Sequence, residues 1–219
     1  MTTKRSLLAE GEIYHVFSKS IAGFKIFRDD PEYERMRNLF KYYRIERPPL
    51  RFSAFSGIKD REEFHQRHLA LRESLVDIIA YCLMSTHIHL ILKQLKEKGI
   101  SIFMSNTLNS YTRYFNIKTK RKGPLWESRF KSVTVKRDEQ LLHLTRYIHL
   151  NPVTAYLVDK PQDWPFSSYK EFLWETKEEE KLCNYSGMLE VGPETYREFV
   201  DTRSDYQREL AKIRELLLE

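Results

Sequence analysis

Cysteine is nearly absent. The chain of 219 residues holds two, Cys82 and Cys183. That is too few for a disulfide framework or a cysteine-built zinc site, and it fits a reducing, cytoplasmic compartment. Long apolar runs are missing as well. The longest, Val76 to Met84, is interrupted by Asp77 and is too short to span a bilayer. The opening residues, MTTKRSLLAEGEIY, contain basic side chains but no apolar stretch of the kind a secretory leader needs, so none is expected. There is no internal repeat and no low-complexity segment. What remains, 41% hydrophobic and 31% charged residues, describes a folded chain with one main domain and a tail.

Acids are scarce in one stretch. Between Arg113 and Arg137 stand nine basic residues and a single acid, Glu127. This segment carries the positive balance, because the chain as a whole has a net charge of +6. From Glu171 to the end the balance reverses, with 13 acids against seven bases. A concentrated basic segment points to a polyanionic partner, and a solvated lysine-rich loop is the ordinary alternative.

Residues 12–18 (EIYHVFS) alternate as a strand. Asp29, Asp30 and Pro31 open a helix that runs to about Ile45, where Pro48 and Pro49 stop it. Residues 50–75 read as a peripheral insertion with a charged helical piece. Two apolar runs, 75–84 and 88–95, separated by Ser85 to His87, predict an antiparallel hairpin. A helix follows over about 101–118, then a basic loop, a strand over 130–136 and a helix over 138–150. Asn151-Pro152 is expected to end that helix. The tail holds a turn at Trp164-Pro165 and a last amphipathic helix over about 193–218. This order predicts an α+β fold with helices packed on one antiparallel sheet.

Two constellations carry chemistry. In His87-Ile88-His89, residues i and i+2 of a strand face one side, so two imidazoles point together in a geometry suited to one divalent metal. His143, Tyr147 and Asn151 fall at i, i+4 and i+8 on one helical face. Each has an ordinary reading alone: polar strand surface, an edge tyrosine, a helix terminator. Together, two imidazoles, an amide and a phenol in a basic protein describe a site that cleaves phosphodiesters. A metal would polarise phosphorus and the phenol would attack it.

The segments LMSTHIHLILKQL, LNSYTRYFNIKTKRKGPLWESRFKS, RYIHLNPV and WPFSSY, in that order, resemble the IS200-like (Y1) transposase family, and within it the REP-associated tyrosine transposase branch. The similarity covers about residues 12–170. It implies a ferredoxin-like fold of the HUH nuclease type in residues 1–170, while the segment 50–75 and the tail beyond about 175 are poorly covered, and residues 171–219 read by charge and periodicity as a helical acidic extension. It implies that His87 and His89 are metal ligands, that Asn151 completes the metal site and that Tyr147 is the nucleophile. The implied reaction is cleavage and rejoining of single-stranded DNA near hairpins through a 5′-phosphotyrosine link. The implied metal is Mg²⁺ or Mn²⁺, although two imidazoles by themselves also suit zinc. No small-molecule cofactor and no membrane partner are expected. The resemblance is compatible with a homodimer and with a nucleoid-associated protein. A domesticated regulator that binds DNA without cutting is the rival reading.

This chain departs from the branch where Ser85 and Thr86 stand in place of a Pro-Asn pair. Tyr111 and Tyr114 rival Tyr147 by residue type. However, Tyr111 shares an apolar stripe with Phe115, and neither has an amide one turn on. Expected DNA contacts are Arg113, Lys118, Lys120, Arg121, Lys122, Arg129 and Lys131. Trp126 is a stacking candidate, and Arg146 lies beside the nucleophile.

Overall fold

The structure, a computed structural model, describes residues 8–202. Strand β1 (Ile13–Lys19) alternates as its sequence does: Tyr14, Val16 and Ser18 are buried, while Ile13, His15 and Phe17 are half-buried. Helix α1 (Asp30–Tyr43) begins where Asp29 accepts a bond from Glu32 N, with Pro31 in its first turn. The insertion forms two short helices, α2 (Phe52–Phe55) and α3 (Arg61–His68). Strands β2 (Val76–Met84) and β3 (His87–Gln94) make the hairpin. Helix α4 (Gly99–Lys118), strand β4 (Lys131–Val135) and helix α5 (Asp138–Thr154) follow. Gly99 at the start of α4 is required by packing, since a Cβ there would stand 2.3 Å from Leu75 O.

The sheet is antiparallel throughout, in the order β2-β3-β1-β4. With the succession β-α-β-β-α-β, this is the ferredoxin-like arrangement that the family resemblance implies. One face is covered by α1 and α4. Val16, Leu90, Met36, Phe40 and Phe103 meet there with no exposed surface. Each such side chain contributes roughly 1.5–3 kcal/mol on leaving water. On the other face Ile79, Ala80, Cys82 and Ile91 pack against Leu141, Ile148 and Val153 of α5.

The chain past residue 165 continues into this second core. Leu83 N donates to Phe166 O and Ser168 N to Tyr81 O, while Asn184 N donates to Ile78 O. These segments cover the β2 edge of the sheet. Tyr169 and Phe172 of α6 (Tyr169–Phe172), with Tyr196 and Val200 of α7 (Pro193–Asp201), complete the core. The helix expected over 193–218 is described to Asp201, and the rest of it lies outside the described residues. Among the described residues no helix is long and apolar enough to cross a membrane.

Two expectations need correction. The hairpin link is two residues long, Ser85 and Thr86, with His87 already in β3 and paired with Met84. Its tip is tied down by Ile26 N and Phe27 N donating to Ser85 O, and by Ser20 N donating to Thr86 O. Secondly, α5 does not end at Asn151-Pro152 but runs on to Thr154 with Pro152 inside it. Proline removes the N–H that Ile148 O would normally receive. The Asn151 side chain takes that place, with Nδ2 donating to Tyr147 O at 3.2 Å and to Ile148 O at 3.4 Å.

Candidate active site

Strand periodicity puts His87 and His89 on the sheet face that α5 covers in part. Antiparallel pairing adds β1 residues to the same face: Phe17 stands opposite His89, and Lys19 opposite His87. The His87 and His89 rings lie 5.1 Å apart and perpendicular. Each has its Nδ1 engaged. The Thr86 hydroxyl lies 3.0 Å from His87 Nδ1, and His15 Nε2 lies 2.9 Å from His89 Nδ1. In the tautomer in which each Nδ1 donates to its neighbour, Nε2 keeps its lone pair for a ligand. Thr86 therefore does on this chain what the departure from Pro-Asn left open: it orients the first histidine.

Burial keeps these rings neutral. It pushes His15 down to about 4 and, with the Lys19 charge adding to it, His87 down to about 4 as well. His89 falls to about 2 through burial and then through His87, His15 and Lys19. Neutral imidazoles are the form that ligates a metal.

Tyr147 sits above this cluster on α5. Its ring is 39% exposed and lies edge-on to His89 at 6.0 Å and to His15 at 6.4 Å. The helix that carries it is bolted from behind. His149 is fully buried, with Nδ1 2.6 Å from the Tyr196 hydroxyl and Nε2 2.8 Å from Ser168 Oγ. Ser168 Oγ in turn accepts from Tyr81 N on β2. The WPFSSY segment thus fixes α5 against the sheet, two residues beyond the phenol. Asn151, one turn further along α5, has its amide nitrogen engaged with helix carbonyls, which leaves Oδ1 as its open acceptor.

The residues fit a metal by chemistry: His87 and His89 could hold one through two neutral imidazoles, and Asn151, one turn beyond Tyr147 on α5, carries a further oxygen donor. Among the described residues no group of three or more His, Cys, Asp or Glu side chains is gathered to hold an ion. An ion held here would therefore need oxygen ligands from outside these side chains.

The two rival tyrosines are packing residues. Tyr111 is fully buried, its hydroxyl donating to Ile26 O, and burial pushes its phenol far up. The Tyr114 ring stacks on the Arg35 guanidinium. His143 lies on the outer side of α5, against Arg146 and the Phe199 ring.

The expected DNA contacts divide. Lys131 stands opposite Phe17, on the histidine face, and is exposed. The basic loop that bears Lys120, Lys122 and Arg129, all exposed, is tied to the His87 end of the sheet. There Glu127 N donates to Lys19 O, and Ile21 N to Leu125 O. Arg113 and Lys118 lie on α4, in the layer across the sheet from Tyr147. Lys118 also pairs with Asp29 at 2.8 Å and Glu32 at 3.0 Å. Arg121 donates to Pro124 O and Asn116 Oδ1 and so orders its own loop.

Two expectations fall. Trp126 is 8% exposed and its Nε1 donates to Thr112 Oγ1 and Leu108 O, so it anchors the loop and offers no free ring for a base. Arg146 lies over the Phe199 ring at 4.0 Å and donates to Phe199 O, so it fastens α7 rather than reaching the site. Sequence reasoning missed His15, Lys19 and Thr86. Alternation on β1 puts His15 and Lys19 on one face, but only the pairing of β1 with β3 brings that face to the histidines.

A family model described as "Transposase IS200 like" matches residues 37–151. A putative REP-associated tyrosine transposase of Haemophilus influenzae is 29% identical over 104 residues, which span 42% of this chain and 58% of that protein. A solved structure of a REP-associated tyrosine transposase bound to a REP hairpin superposes with a TM-score of 0.51 at 16% identity. The superposition covers 87% of this chain and 99% of that one, and this likeness speaks for the fold.

Proposed function

The chain belongs to the IS200-like transposase family, and from that premise we propose that it cuts and rejoins single-stranded DNA beside hairpins, with Tyr147 as nucleophile. The observation that carries the proposal is the exposed Tyr147 ring set edge-on to His89 at 6.0 Å, beside two imidazoles whose Nε2 atoms are both open. That the superposed structure is one of a transposase bound to a REP hairpin supports hairpin DNA as the substrate class.

The phenol oxygen of Tyr147 attacks phosphorus and the bond from phosphorus to the 3′-oxygen breaks. The products are a 5′-phosphotyrosine and a free 3′-hydroxyl. The phenol proton leaves to water, which reaches the exposed ring, and the departing oxygen takes a proton from water. His87, His89 and Asn151 would hold a Mg²⁺ or Mn²⁺ ion, which supplies charge stabilisation at a phosphate oxygen. His15 and Thr86 hold the two imidazoles in the tautomer that keeps Nε2 open. Lys19, Arg129 and Lys131 attract the backbone in a sequence-independent, salt-sensitive way. Resealing reverses the same exchange, so the bond energy is kept in the phosphotyrosine and no nucleotide cofactor is needed.

The test is a denaturing gel with labelled single-stranded hairpin DNA, in Mn²⁺ and in chelator, comparing wild type with Tyr147→Phe. The expected result is a metal-dependent, denaturation-resistant adduct that the Tyr147→Phe protein lacks. Cutting without an adduct would replace the tyrosine mechanism by hydrolysis. Tight binding without cutting across a library of hairpins would favour a regulator that only binds.

A further inference from the structure

On the face of the fold away from Tyr147, α1, α4 and the start of the insertion enclose a cavity of about 340 Å³. Three arginines line it from three elements: Arg35 of α1, Arg113 of α4 and Arg51, just before α2. Among the described residues no aspartate or glutamate is in its wall. Lys118 also reaches the cavity, but its charge is met by Asp29 and Glu32. Among the described residues no carboxylate pairs with Arg35, Arg51 or Arg113.

Arg35 is the most unusual of the three. Its guanidinium is clamped between the Phe52 ring at 4.4 Å and the Tyr114 ring at 5.0 Å. Its Nε is shielded from water and has no acceptor among the described residues. Stacking on two rings holds the guanidinium plane still but leaves its hydrogen-bonding edge unsatisfied. A buried donor without an acceptor is costly, and like charges gathered in one cavity repel. An anion answers the repulsion, and a planar guanidinium fork matches phosphate oxygens in particular. The Ser53 and Ser110 hydroxyls add neutral donors to the same wall. The basic loop starts where α4 ends, so this cavity adjoins the cations that lead to the histidine face.

We propose that this α1–α4 cavity is a second DNA-phosphate site, across the sheet from the tyrosine, so that the bound DNA contacts the protein on two faces. The proposal rests on the DNA-cutting reading above and extends it to a surface that takes no part in the chemistry. The insertion then has a role, since it supplies both Arg51 and the Phe52 ring that fixes Arg35.

The test uses the full chain and a fluorescent single-stranded DNA bearing a hairpin, titrated by anisotropy from 50 to 300 mM NaCl. The double variant Arg51→Ala/Arg113→Ala changes exposed side chains, and a thermal melt checks that it folds. It is expected to bind about tenfold more weakly than wild type. Its plot of log affinity against log salt should be shallower by about 1.4, the loss of two single-strand phosphate contacts. A double variant with wild-type affinity and slope, while wild type binds DNA, overturns the second site and leaves the transposase reading intact. Wild type that does not bind the hairpin overturns that reading, and this assignment with it. A parallel melt with inorganic phosphate separates the sources of the anion. If phosphate stabilises wild type and not the variant while their DNA affinities match, the cavity takes a small free anion and the DNA assignment fails.

Discussion

On β1, Tyr14, Val16 and Ser18 point to one face of the sheet and His15, Phe17 and Lys19 to the other. The first set joins the core under α1 and α4, where Val16, Phe40, Phe103 and Leu90 are completely enclosed. The second set opens onto a face that α5 covers only in part, so Val133 of β4 stays 55% exposed there. Both faces carry a water-excluding core, and the one under α1 and α4 is closed along its length. The other is left partly open, and the polar groups it gathers are held by hydrogen bonds rather than by close packing. The same two-residue period that makes a dry core on one side puts imidazoles within reach of substrate on the other.

Emptying the closed face should have the largest thermodynamic effect. Phe103→Ala is expected to cost about 3–5 kcal/mol, read as a lowered midpoint in denaturant. A loss below about 1 kcal/mol would mean that this core is not where the fold is held. On the open face the effects should be chemical instead. His87→Ala is expected to reduce adduct formation by at least about 100-fold, near 2.7 kcal/mol of barrier, with hairpin affinity nearly unchanged. Equal loss of cutting and binding would show that the histidine organises the DNA and not the reaction.

A finer version of the comparison asks whether His15 belongs to the site or to the packing. His15→Ala should weaken Mn²⁺ binding by about 10–100-fold, measured by calorimetry, and His15→Gln, which can still bond to His89 Nδ1, should recover part of it. Unchanged Mn²⁺ affinity in His15→Ala would make the 2.9 Å contact with His89 merely structural. The smallest effect is expected from Lys19→Ala/Lys131→Ala, which should make the salt dependence of DNA affinity shallower by about 1.4. An unaltered slope would remove the histidine face from the path of the DNA backbone.

Much of the fold was legible because its signals are local. The Asp29 cap and Pro31 set the start of α1, and alternation over residues 12–18 gave β1. The hairpin stood out as two apolar runs around a short polar link. Asn151-Pro152 misled for a physical reason. Proline ends a helix when the carbonyl it orphans has no other donor, and here the preceding asparagine side chain supplies one. The basic segment read as one surface, yet folding sends Arg113 and Lys118 to one side of the sheet and Lys131 to the other. Trp126 among the basic residues and Arg146 beside Tyr147 look like DNA contacts by type and neighbourhood, but their partners, Thr112 and Phe199, lie 14 and 53 positions away.

The sequence by itself determined the strand and helix periods, the His-x-His pair on one strand face, and the i to i+4 spacing of Tyr147 and Asn151. These depend on backbone geometry within a few residues. Only the tertiary structure decided that β1 lies beside β3, that His15 therefore meets His89 across 74 positions, and that His149, Ser168 and Tyr196 fix α5 over the sheet. Which strands become neighbours depends on burying both faces of the sheet at once, and no short stretch of chain contains that information.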